Sequence, residues 1–163
     1  MPTDVCADAR AAIEARRLAG WSGLPAGCGP DALFGVPLDD TWGQLPLGAS
    51  LAPTRSRLLE LPGFYRPIVR VRDGAVVMFE AGMPELADDL PTLLASLGPP
   101  DEVADFVFRD VTMAGGEHVF ARRGVTLFVN PENQRVLHVA LYSPTTVAAY
   151  RDRLRLDLSS RRR

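Results

Sequence analysis

Between residues 65 and 80 the chain reads YRPIVRVRDGAVVMFE, with apolar and polar side chains alternating on either side of Asp73-Gly74. Alternation is the signature of a strand with one buried face, and Asp-Gly is a preferred pair for a two-residue hairpin loop. The pattern predicts two strands joined by a tight turn. Pro67 cannot donate to a strand ladder, so the first strand is expected at a sheet edge, or to begin only after it. Further on, VADFVFRD, GEHVFARR, VTLFVN and RVLHVALY predict three or four more strands, with Arg123-Gly124 and NPEN (130–133) as turns.

Elsewhere the period lengthens to that of a helix. Residues 7–19, ADARAAIEARRLA, hold no Gly or Pro, and Ala11, Ile13, Ala15 and Leu18 can share one side, with Gly20 as the stop. A short second helix is expected at Pro30-Asp31, where proline suits the first turn and the acid complements the helix dipole. In ELADDLPTLLASLG, Leu90, Leu93, Leu94 and Leu97 face one way. Gly98 is expected to supply a left-handed end, after which Pro99-Pro100 forbid continuation. SPTTVAAYRDRL predicts a last helix capped by Ser143. Residues 35–56, rich in Gly, Pro, Ser and Thr, read as a long loop with at most a brief edge strand.

These elements define an α+β chain: helices packed on one face of an antiparallel sheet. They also fall into two similar halves, 7–82 and 83–155, each with a helical stretch, a Gly-x-Pro exit (Gly35-Val36-Pro37, Gly98-Pro99-Pro100) and then strands. Such matching raises an internal duplication within one 163-residue domain, followed by a basic tail at 156–163.

The second half resembles a known family. Leu97-Gly98-Pro99-Pro100, Phe120, Gly124-Val125-Thr126-Leu127-Phe128 and the run Val136 to Leu141 stand where the β-lactamase inhibitory protein fold, and the SmpA/OmlA outer-membrane assembly lipoproteins, carry their Leu-Gly-x-Pro turn and following hairpin. The resemblance covers residues 86–142. It implies a helix-backed antiparallel sheet and protein binding rather than catalysis. The chain departs from the family in showing no lipobox and no dense aromatic set on one strand face.

Composition narrows the chemistry. Apolar residues at 47% supply a core without staples, and no apolar run is long enough to span a membrane as a helix. Asp4, Asp8 and Glu14 stand where a signal peptide needs apolar residues, so a cytoplasmic protein is expected, or a mature chain whose signal has been removed. All 18 basic residues are arginine, six of them in 150–163, leaving an acidic body. A nucleic-acid partner is not expected, because no stacking aromatic set accompanies the basic tail. The two cysteines match no zinc spacing and are too few for a disulfide scaffold, and neither metal nor cofactor motifs occur.

Four features remain as candidate chemistry. Arg66, Arg70 and Arg72 share a strand face with Ile68 and would present guanidiniums to a carboxylate or phosphate, unless they are solvated or paired with Glu80 or Asp73. His138 alternates with Ala140 and Tyr142, and joins the arginines and Tyr142 as a candidate binding set. His118 is the other histidine. Cys28, in AGCGPD ahead of a helix start, is a candidate reactive thiol, its alternative being a small buried side chain. The leading expectation is a non-catalytic module, an adaptor, inhibitor or immunity-type protein, that binds another protein through an open sheet face or loops. The alternative is a small-molecule-binding protein or enzyme with a pocket between sheet and helices, using Arg66, Arg70, His138 or Cys28.

Overall fold

The computed structural model describes residues 4–159. In chain order the elements are α1 (Val5–Glu14), α2 (Pro30–Phe34), β1 (Gly43–Leu47), β2 (Ala52–Leu58), β3 (Tyr65–Arg72), β4 (Ala75–Gly82), α3 (Leu90–Leu97), β5 (Glu102–Phe108), β6 (Val111–Phe120), β7 (Val125–Asn130), β8 (Arg135–Leu141) and α4 (Val147–Arg153). The eight strands form one antiparallel sheet in the order β1-β2-β3-β4-β8-β7-β6-β5. Each half is a four-stranded meander, and the last strands of the two meet in the middle, Phe79 opposite Leu141 and Gly82 opposite His138. The helices are short, so the protein is mostly β.

Local chemistry explains most of these elements. Asp4 caps α1, accepting from the amides of Cys6 and Ala7. The helix ends at Glu14, earlier than its alanine content predicts, because Arg16 takes a left-handed backbone (φ 54°) and sends its guanidinium to the carbonyls of Glu85 and Pro62. Asp73 (φ 53°) and Gly74 (φ 80°) form the expected hairpin turn. The stretch expected as a loop holds β1 and β2. Pro46 sits on the edge strand β1, whereas Pro67 lies inside the sheet, at a break in register between Tyr65 and Ile68 that leaves one extra residue on β3. The cap of α4 is Thr146, not Ser143, whose hydroxyl instead donates to the Leu24 carbonyl.

Both faces of the sheet are buried. On one face Ala9 and Ile13 of α1, Leu33 of α2 and Leu93 and Leu97 of α3 pack against Val69, Phe79, Leu127 and Val139. On the other, Met78, Phe106, Phe128 and Ala140 are covered by Tyr150 of α4 and by Leu156 and Leu158. Thus three helices take the expected face and α4 takes the opposite one. In the described part of the basic tail, residues 156–159, Leu156 and Leu158 are buried while Asp157 is exposed; residues 160–163 lie outside the described chain. Two contacts hold this cover down. Glu117, fully buried on β6, accepts from the Tyr150 hydroxyl at 2.7 Å and from Arg155 Nη2 at 2.7 Å. The β1–β2 turn reaches the same helix, the Ala49 and Ser50 amides donating to the carbonyls of Arg151 and Asp152.

Gly98 ends α3, but with φ 77° and ψ −167° rather than the expected left-handed helical angles. That region is nearly closed to side chains although nothing stands within 4 Å of a Cβ placed there. Gly98→Ala is therefore expected to cost about 1–2 kcal/mol, through backbone strain alone. A urea melt with an unchanged midpoint would mean the turn relaxes freely.

Candidate functional site

Cys28 is buried, as its alternative reading had it, but as half of a disulfide and not as a free thiol. Cys6, in the first turn of α1, and Cys28, in the turn before α2, are joined in a disulfide with Cα atoms 5.9 Å apart. Cys28 is buried and its carbonyl accepts from the Val76 amide of β4. It is no nucleophile, and α2, at five residues, gives it little dipole.

The arginine strand is the second correction. Arg70 is fully buried, on the face covered by α4, and its Nε donates to Glu80 Oε2 at 2.6 Å while Nη1 reaches the Pro46 carbonyl at 3.1 Å. Glu80 is equally buried. The face is not solvated; pairing with Glu80, the alternative to exposure, is what the fold adopts. Arg72 lies half-buried at the end of β3, with one terminal nitrogen that has no hydrogen-bond partner among the described residues. Arg66 is exposed and stands apart from both, at the extra residue of β3.

His138 completes the arrangement. Its Nε2 lies 3.1 Å from Glu80 Oε1, and its ring packs edge-on against Phe128 at 6.0 Å. An ionised carboxylate only accepts, so Nε2 carries a proton and donates it to Glu80, which leaves Nδ1 for another partner. Nδ1 lies over Gly82, where a Cβ would come within 3.7 Å of it. It has no hydrogen-bond partner among the described residues. Glu80 thus fixes the orientation of the imidazole through Nε2, and Arg70 offsets the carboxylate's charge.

Above this floor opens a cleft of about 350 Å³. Its walls are Ile68, Met83, Phe108, Leu137 and Leu158, with Tyr65, Arg66 and Arg109 among the other lining residues. Four regions far apart in sequence build it: the start of β3, the end of β4, the middle of β8 and the β5–β6 turn. Leu158 closes one side, its carbonyl accepting from the Arg109 amide at 3.2 Å. The cleft is on the face opposite α1–α3, not between sheet and helices.

Of the expected set, Arg66 and His138 line the cleft, Arg70 supports it from below, and Arg72, Tyr142 and Cys28 lie elsewhere. Tyr142 is buried against Tyr150, rings 5.2 Å apart, with its hydroxyl 2.8 Å from Thr126 Oγ1. Burial holds both phenols well above the ordinary tyrosine range, and the Glu117 carboxylate adds to this. They are structural. His118 sits half-buried on β6, opposite Leu127, and burial lowers its pKa; it does not meet His138 in the cleft. Among the described residues no group of three His, Cys, Asp or Glu gathers as a metal site, and no helix is long and apolar enough to cross a membrane.

Glu80, Gly82, Phe108 and Arg109 belong to the site without having been singled out for it in the sequence. Glu80 had a signal, a lone carboxylate in the apolar run VVMFEAG. Arg109 had almost none. Fold and cleft define an eight-stranded antiparallel-sheet protein with an apolar cleft floored by a buried carboxylate–imidazole pair. Comparison with protein-family models, curated proteins and solved structures found no match. The resemblance noted above therefore stands on its motifs alone.

Proposed function

We propose that the protein is a non-catalytic small-molecule binder whose site is this cleft. The observation that carries the reading is the open His138 Nδ1, fixed by fully buried Glu80 at the floor of a cavity with mostly apolar walls. Ligand sites pair an apolar body with a few polar groups of set orientation, and 350 Å³ falls at the lower end of their usual size. The reading is preferred to protein binding through an open sheet face because α4, Leu156 and Leu158 cover much of that face. A disulfide favours an oxidising compartment over the cytoplasm. The mirrored strand order supports reading 7–82 and 83–155 as related halves of one domain.

The test is a neutral fluorescent reporter, N-phenylnaphthylamine, excited beyond the tryptophan band. It should brighten on binding the wild-type protein and lose most of that signal with Met83→Trp, which fills the cleft from its rim. Equal brightening by both proteins, with the variant folded by circular dichroism, would place binding elsewhere and end the proposal.

A further inference from the structure

We infer that the ligand is a small amphipathic anion, with one acidic head held at the mouth between Arg66 and Arg109 and an apolar body directed inward; this rests on the cleft being a binding site. The two arginines line the same cleft yet come from opposite halves of the sheet, Arg66 from β3 and Arg109 from the β5–β6 turn. Neither enters an ion pair among the described residues. Arg109 lies over the Phe108 ring, its guanidinium carbon 5.3 Å from the ring centroid, which leaves its charge at the rim.

Both backbones are unusual for arginine. Arg66 has φ 50° and Arg109 φ 48°, left-handed values that L side chains rarely adopt. Arg66 also precedes Pro67, a position normally held to extended conformations. Arg109 and Asp110 (φ 72°) form a two-residue hairpin turn with both φ values positive, where Asn-Gly is the easy choice. Strained backbone at a cleft mouth is a recurring mark of function. The charge count agrees. Glu80 is offset by Arg70 below, and the nearby carboxylates Asp110 and Asp157 are exposed and each already engaged. The mouth therefore keeps two guanidiniums suited to the paired acceptors of a carboxylate or phosphate.

The experiment displaces N-phenylnaphthylamine from the full chain at neutral pH with decanoate, decanol or decylamine. Decanoate is expected to displace it at about tenfold lower concentration than decanol, with decylamine the weakest. Arg66→Asn with Arg109→Asn keeps residues that tolerate positive φ, and should remove that advantage, so that decanoate displaces the reporter from the variant no better than decanol does. If decanoate and decanol compete equally, or the double variant keeps the preference, the cleft binds but the anion assignment is wrong. If the reporter does not bind the wild type at all, the cleft reading fails and takes this inference with it.

Discussion

Arg70→Ala is expected to destabilise the protein by about 3–5 kcal/mol, the usual consequence of stranding one partner of a buried ion pair. The Glu80 side chain is 1% exposed, so its carboxylate would lose the Arg70 Nε–H it now accepts from, with almost no water to replace it. The loss should appear in urea as a lower midpoint with an unchanged slope. Glu80→Gln is expected to fall in the same direction, since it removes the carboxylate to which the buried Arg70 Nε donates. Arg70→Met combined with Glu80→Leu should recover most of the stability, because neither desolvated charge then remains. A loss below about 1 kcal/mol for Arg70→Ala would show that the pair is hydrated, and would return the strand to the solvated face its sequence suggests.

The second large effect concerns the bridge between α1 and the turn before α2. It closes a loop with a sequence separation of 22 residues. Removing it with Cys6→Ser and Cys28→Ser is expected to cost about 3 kcal/mol, chiefly by releasing the unfolded chain. Dithiothreitol should lower the melting temperature of the wild type and leave that of the double variant unchanged. Protein made in an oxidising compartment should take up iodoacetamide only after reduction. Two readily alkylated thiols in the native protein, or a melt indifferent to reductant, would remove the bridge.

Several elements were legible because their causes are local. Asp73-Gly74 turns the chain where it does because two successive positive φ values suit glycine and aspartate. Gly98 followed by two prolines ends α3 whatever lies beyond. Alternation along IVRVR assigns Ile68 and Arg70 to one face and Val69 and Val71 to the other, and Val69 and Val71 do lie in the core shared with the helices. Boundaries were less secure. Residues 15–19 have helical composition, yet Arg16 turns away to reach carbonyls at 62 and 85, a tertiary pull that no helix propensity contains.

What the sequence determined by itself was therefore the set of periods, turns and stops: an antiparallel α+β chain and the parity of its strands. Parity says which side chains share a face; it does not say whether that face meets water. That was decided by the tertiary fold: α4, Leu156 and Leu158 pack on that face with Met78, Phe128 and Ala140, and Arg70 is buried there against Glu80 and the Pro46 carbonyl. The same holds for Cys6 and Cys28, whose bonding depends on a Cα separation set by how α1 and α2 dock. The cleft is further still from sequence. Its floor joins Glu80 to His138 because β4 pairs with β8, and Arg66 and Arg109 line it together although they come from β3 and the β5–β6 turn. Distances of that kind are properties of strand order, and they exist only once the non-local ladder has formed.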